Sequence, residues 1–337
     1  MQIITGDALE SLRKLPSGCC STCVTSPPYY GLRDYGKNGQ IGLEETVDEY
    51  IEKLVEVFRE VRRVLKDDGT LWLNIGDSYA GSGKGRNKDG NFNEKAPNLQ
   101  STGQRQGLLR RTLSATGDYK RKDLIGIPWL LAFALRADGW YLRADIIWNK
   151  PNAMPESVKD RPTRAHEYVF LLSKKPQYYY DEEAVKEPAV GFNNAAPAGS
   201  SGTGRPNARR RGNSRTFRGG GAYTHGKAAD NSANVERQSH GLVPNETGKR
   251  HRRSVWVVAT RPYKGAHFAT FPEELVRPCI LAGSRPGDTV LDPFAGSGTT
   301  GAVARQEGRD FIGIELNPTY SEMIKQRIRN LAEKGEI

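Results

Sequence analysis

Thr289-Val290-Leu291-Asp292-Pro293-Phe294-Ala295-Gly296-Ser297-Gly298-Thr299-Thr300 is the stretch on which the fold turns. Thr289 to Asp292 reads as a short buried strand. Pro293 to Gly298 reads as a tight glycine turn, and Thr299 opens a helix that runs to Glu307. A strand, a glycine turn and a helix in that order begin a βα unit, and glycines there let a ligand approach the backbone. Phe311 to Glu315 is the next strand, and it ends on a carboxylate. An acidic side chain at that place can accept both hydroxyls of a ribose.

The pattern continues in both directions. Downstream lies a helix, Pro318 to Glu333, and upstream a helix, Pro272 to Ala282. Near the other end, Ile3-Ile4 is a strand, Ala8 to Lys14 a helix, and Ser21 to Thr25 a strand that stops at Pro27-Pro28. Residues 46–65 place Val47, Tyr50, Ile51, Leu54, Val57, Phe58, Val61 and Leu65 at helical spacing. Lys66-Asp67-Asp68-Gly69 reads as a turn before a buried strand, Thr70 to Ile75. Leu124 to Asp138 is a helix, and Tyr141 to Trp148 and Glu167 to Ser173 are strands close enough to pair antiparallel. The expected architecture is α/β: a doubly wound, mostly parallel, Rossmann-like sheet with an antiparallel edge hairpin.

Two polar segments interrupt this pattern. Residues 188–255 hold twelve Lys/Arg against three Asp/Glu, with the triplet Arg209-Arg210-Arg211, then Arg215, and Arg252-Arg253 near the end. Residues 80–123 are also basic and glycine-rich. The whole chain of 337 residues carries a net charge of +11, so the two insertions together hold more than all of it and the body is slightly acidic. Each Lys or Arg that meets a phosphate releases a counterion, which makes these arginines candidates for DNA contact. A solvated charge run is the plainer alternative. With 36% hydrophobic residues in the chain as a whole, the second insertion has too few large apolar side chains to bury a core of its own. No stretch approaches the roughly 20 apolar residues of a membrane span, and Met1 to Asp7 has no leader-like pattern; a cytoplasmic location without membrane contact is expected. Cys20 and Cys23 have metal-like spacing but no second pair, so they read as small apolar residues of a buried strand, and no metal is expected.

The glycine turn suits NAD and S-adenosylmethionine alike. Two details disfavour NAD: the third glycine of GxGxxG is missing, and the loop opens Asp-Pro-Phe, placing a carboxylate and an aromatic where a pyrophosphate would sit. Asp292 would suit the ammonium of a methionine moiety and Phe294 an adenine or sulfonium; alternatively Asp292 caps the turn. The second constellation is Thr25-Ser26-Pro27-Pro28-Tyr29-Tyr30. Prolines stiffen a turn and leave carbonyls to accept hydrogen bonds. Beside such a carbonyl, the Ser26 hydroxyl can accept from an exocyclic amine, whose lone pair is otherwise delocalised into its ring. Catalysis of this kind is placement and electrostatics. Tyr29 can stack on a base that has left the duplex.

Together these motifs resemble the amino-group DNA methyltransferases, the N4-cytosine and N6-adenine enzymes. Their catalytic signature, (Asp/Asn/Ser)-Pro-Pro-(Tyr/Phe/Trp), is matched by Ser26-Pro27-Pro28-Tyr29. Their cofactor motif is similar to Asp292 through Thr299. The order, catalytic motif first, resembles the permuted beta group. Gly6-Asp7-Ala8-Leu9 is similar to the motif whose aspartate contacts the adenine of the cofactor. Trp148-Asn149-Lys150-Pro151-Asn152 is similar to the one flanking the target-base pocket, and His267-Phe268-Ala269-Thr270-Phe271-Pro272 to the segment closing over the methionine end.

The resemblance implies catalytic Ser26, Pro27, Pro28 and Tyr29, and S-adenosyl-L-methionine held by Asp7, Phe271, Asp292, Phe294, Gly296, Ser297, Gly298, Thr299 and Glu315. It implies that Lys150 lies near DNA. Residues 1–180 would form the catalytic part, 181–262 the target-recognition region, and 263–337 the cofactor-binding part of the same domain. The implied partners are double-stranded DNA, a cognate restriction endonuclease and a second copy of the chain; a phage-borne or orphan setting stays open. Serine before Pro-Pro is commoner among N4-cytosine enzymes, which points to N4 of cytosine, with N6 of adenine as the alternative. RNA methylation uses the same chemistry, and a non-catalytic DNA-binding module would need neither motif intact. C5-cytosine chemistry needs a cysteine nucleophile; Cys279 sits in an apolar helical run and reads as core. His166-Glu167 begins like HExxH, but Phe170 ends that match; His166 is expected to orient a loop near the pocket.

Overall fold

The structure is a computed structural model, and it describes residues 1–31, 39–80, 119, 120, 122–189, 248–261, 271–335 and 337. In chain order the elements are β1 (Gln2–Thr5), α1 (Ala8–Arg13), β2 (Cys20–Thr25), α2 (Val47–Val64), β3 (Leu65–Ile75), α3 (Ile127–Ala137), β4 (Tyr141–Asn149), β5 (His166–Ser173), β6 (Glu187–Pro188), β7 (Lys249–Arg250), β8 (Val255–Val257), α4 (Glu273–Gly283), β9 (Thr289–Asp292), α5 (Thr299–Gln306), β10 (Asp310–Glu315) and α6 (Pro318–Glu333). They fall into two compact units. One comprises Met1–Lys186 and His251–Ile337, the other Glu187–Arg250. In the second, β6 and β7 pair antiparallel and Arg250 Nε donates to Glu187 at 2.8 Å. Most of the expected recognition region, residues 190–247, lies outside the described residues. No helix among the described residues is long and apolar enough to cross a membrane.

The first unit is built on one eight-stranded sheet in the order β1-β10-β9-β2-β3-β5-β4-β8. The strands from β1 to β3 run parallel, and β5 is antiparallel to both β3 and β4. The antiparallel pair expected near the edge is there, with β8 added beyond it, parallel to β4. Every residue of β2 is buried, as a central strand covered on both faces requires. Cys20 and Cys23 belong to that strand, and burial holds the Cys23 thiol well above its ordinary value. Cys279 is core, as its run suggested, and donates to Leu275 O within α4.

Side-chain alternation divides the core between the two faces. Leu71, Leu73 and Leu291 join Leu12, Tyr50, Leu54, Phe58 and Leu131 under α1, α2 and α3. Trp72, Val290 and Phe311 join Ile280, Val303 and Ile324 under α4, α5 and α6. The helix α2 forms because its apolar residues recur every three or four positions and Thr46 caps it, accepting from Glu49 N at 3.2 Å. One element differs from expectation. Residues 66–69 are an irregular stretch inside β3, where the pairing with β2 slips between Cys20 and Thr22. Gly69 permits this: a Cβ there would lie 2.9 Å from Lys66 O and 3.1 Å from Ser21 O.

This topology sets the site. Parallel strands bring their carboxyl ends to one edge, so Thr5, Glu315, Asp292, Thr25 and Ile75 end side by side. Because β5 runs the other way, its amino end, His166-Glu167, arrives at that same edge beside Asn149 of β4.

Candidate active site

The two sequence motifs touch, although the contacting residues are 267 positions apart. Thr25 Oγ1, at the end of β2, donates to Asp292 Oδ1 at 2.6 Å, and Thr300 Oγ1 donates to Asp292 Oδ2 at 2.7 Å. Phe294 N also donates to Asp292 Oδ1, at 3.0 Å. Asp292 is 1% exposed, and burial pushes its carboxyl up to about 6 even though these three hydrogen bonds pull the other way. Both oxygens are thus committed to protein groups. Asp292 thereby caps the turn, the alternative that its position also offered.

Around Asp292 the loop is arranged by backbone. Gly296 (φ 53°) and Gly298 (φ 78°) are left-handed, where other residues are strained. A Cβ on Gly296 would meet nothing nearer than Phe294 O at 3.8 Å, so the space over it is open. A Cβ on Gly298 would lie 2.9 Å from Ile324 Cγ2. Glu315 accepts from Gly296 N at 2.9 Å and Asn317 N at 2.8 Å; burial, the largest influence, raises its carboxyl. The carboxylate is therefore fixed beside the open glycine, and its remaining lone pairs can take hydroxyl hydrogens. Arg327, itself paired with Glu273, donates to Ser297 O and Thr299 Oγ1 at 3.1 Å each. Phe294 is half-buried, edge-on to Phe58 with centroids 6.5 Å apart. Asp7 caps α1, accepting from Glu10 N at 2.9 Å, while Gly6 N donates to Glu315 O at 3.0 Å. Phe271 packs on the second core; residues 267–270 lie outside the described residues. An open glycine, a held carboxylate and an adjacent Asp7 fit a nucleoside with a free ribose.

On the other side stands the Ser26–Tyr29 turn. Tyr50 OH donates to the Pro28 carbonyl at 2.7 Å, so that oxygen is occupied. Among the described residues no hydrogen bond reaches the Pro27 carbonyl. Tyr29 is held at its hydroxyl: it donates to Glu167 Oε2 at 2.8 Å, with Asn74 Oδ1 at 3.3 Å and Ser26 Oγ at 3.5 Å. Burial foremost, then the Glu167 charge, pushes the Tyr29 phenol well above its ordinary value, so it stays a neutral donor.

Lys150 lies beside the Tyr29 turn through Glu167. It forms an ion pair with Glu167, both side chains largely covered, and lies 4.1 Å from the Trp148 ring centroid. Arg252 stacks on Trp256 at 4.5 Å, and Arg253 is exposed. Arg209, Arg210, Arg211 and Arg215 lie outside the described residues. His166 opens β5 and sits edge-on to Tyr168. Sequence reasoning missed Thr25, Tyr50, Asn74, Glu167 and Thr300. Thr25 and Glu167 find partners 267 and 138 positions away, and Tyr50 and Thr300 lie within helices, where no local pattern marks them.

Comparison with known proteins shows the family. A family model described as DNA methylase, covering the N6 and N4 methyltransferases, matches residues 20–326. The chain is 47% identical over 327 residues to the Type II methyltransferase M.Cfr9I of Citrobacter freundii, covering 97% of this chain and 87% of that protein. It is 47% identical over 328 residues to the Type II methyltransferase M.SmaI of Serratia marcescens, with 97% and 90% covered. Among solved structures, the PvuII DNA methyltransferase, described as cytosine-N4-specific, aligns with a TM-score of 0.58 at 18% identity, over 99% of this chain and 89% of the other. A DNA modification methylase of Thermus thermophilus, TTHA0409, solved with S-adenosyl-L-methionine, aligns with a TM-score of 0.55 at 22% identity, over 98% and 93%. Those two likenesses carry the fold; the family match carries the identity. This chain belongs to the DNA methylase family of N6/N4 methyltransferases, in company with Type II enzymes.

Proposed function

We propose that this DNA methyltransferase acts on the N4 amino group of cytosine in double-stranded DNA. The observation that carries the reading is the joining of the Ser26–Tyr29 turn to the glycine loop through Thr25 and Asp292. S-adenosyl-L-methionine, when bound, supplies an electrophilic methyl group; Asp7, Gly296 to Thr299 and Glu315 would hold it. The work of the chain is to place the amine. Ser26 Oγ and the Pro27 carbonyl accept its two hydrogens, turn them out of the ring plane and leave the lone pair on nitrogen. Tyr29 offers its ring face to a base swung out of the duplex.

The N4 assignment rests on serine at position 26. Residues 181–262 supply target recognition, and the Type II relatives support a restriction–modification setting with a cognate endonuclease. Mass spectrometry of nucleosides from DNA incubated with enzyme and donor tests the reading. N4-methylcytosine is the expected product. N6-methyladenine would move the target to adenine, which offers an amine needing the same acceptors, and methylation confined to an RNA control would remove DNA as substrate.

A further inference from the structure

We propose that Glu167 is a positioning residue for methyl transfer: through the Tyr29 hydroxyl it fixes the Tyr29 ring and turns the lone pairs of Ser26 toward the target amine. The inference rests on the reading of Ser26–Tyr29 as the amine-holding turn. A phenol has one hydrogen to give. Glu167 Oε2 is nearer than Asn74 Oδ1, 2.8 against 3.3 Å, and a carboxylate is the stronger acceptor. The hydrogen therefore goes to Glu167, and the Tyr29 oxygen can then only accept. Ser26 Oγ, 3.5 Å away, is the donor beside it. With its hydrogen directed at Tyr29, Ser26 presents lone pairs elsewhere. An amine with two hydrogens needs acceptors, so a serine pointing its own hydrogen at that amine would oppose it.

The carboxylate is itself anchored. Lys150 takes its other oxygen, and Asn74 Nδ2 donates to Oε2 at 3.3 Å while also bonding Tyr168 O at 3.0 Å. The Tyr29 ring rests on bare backbone at Gly76, where a Cβ would lie 2.7 Å from Tyr29 Cε2 and 3.3 Å from Glu167 Cδ. Ring and carboxylate are thus packed on one glycine. The antiparallel direction of β5 is what delivers Glu167 to an edge otherwise made of carboxyl ends.

The test is single-turnover transfer of a labelled methyl group from S-adenosyl-L-methionine to unmethylated plasmid DNA, using the full chain. Glu167→Ala should lower the rate on the order of 10- to 100-fold, with donor and DNA affinities within about 2-fold of the parent. Glu167→Gln keeps an acceptor for Tyr29 and should restore most of the rate. In a Tyr29→Phe background, adding Glu167→Ala should cost less than about 3-fold, because the group it acts through is gone. Should Glu167→Ala not fold, Lys150→Met with Glu167→Leu removes both charges at once and should show the same loss. A parent-like rate in the Glu167 variants, or costs that simply multiply in the Tyr29→Phe background, would overturn the proposal. A parent enzyme that leaves no methyl group on DNA would instead overturn the functional reading beneath it.

Discussion

Asp292 shows how a residue's role is decided by its neighbours. Its place after a strand and before a glycine turn was plain in the sequence, but Thr25 and Thr300 were not visible as its partners. The same holds for Glu167, whose link to Tyr29 spans 138 positions, whereas Ser26, Tyr29 and Glu315 stood out in the sequence because their motifs are local. Burial raises Asp292 from 3.8 to about 6, a shift corresponding to about 3 kcal/mol. Between those values the folded chain binds a proton more readily than the unfolded one. Its contribution therefore lowers stability as pH rises from about 4 to about 6. Thermal melts of Asp292→Asn and the parent across that range should show the difference, variant minus parent, growing with pH; a constant difference would contradict the assignment. For the catalytic turn, Ser26→Ala and Tyr29→Ala should abolish methyl transfer while leaving donor binding, read by calorimetry, largely unchanged. Undiminished turnover in either would remove the mechanism.

Among elements, the helices were the most legible, because burial on one face imposes a 3.6-residue period that α2 follows along its length. The strands β9 and β10 were legible from their apolar runs. Residues 66–69 were not: four polar or glycine residues look like a turn, yet the pairing of β3 absorbs them as an irregularity. Nor was β8, three residues whose pairing depends on β4 rather than on any pattern of its own. At the start of α5 the constraint is steric. Gly298 has φ 78° and faces Ile324 of α6. Gly298→Ala should cost about 1–3 kcal/mol in denaturant unfolding and weaken donor binding by displacing the loop. Stability equal to the parent would mean that the turn tolerates a side chain after all.

For the molecule as a whole, chain order is undone by topology. The catalytic motif lies near one end and the cofactor loop near the other, yet β2 and β9 are adjacent strands, and the sheet order was not readable from the chain alone because register is set by distant partners. Charge was readable. The net +11 is more than accounted for by the two basic insertions, and neutralising Arg209, Arg210 and Arg211 together should weaken DNA binding and flatten its dependence on salt. A salt slope equal to the parent's would show that these arginines do not meet phosphate. In the proposed mechanism Ser26 and Pro27 hold a cytosine amine while the glycine loop and Glu315 hold the donor at the same strand edge. A crystal structure with DNA and a non-reactive analogue of S-adenosylmethionine tests it most directly. The expected complex has a cytosine out of the stack, its N4 within about 3.2 Å of both Ser26 Oγ and the Pro27 carbonyl oxygen, with the ribose of the analogue on Glu315. An extruded base whose amine bonds elsewhere, or an analogue seated away from Gly296, would contradict it.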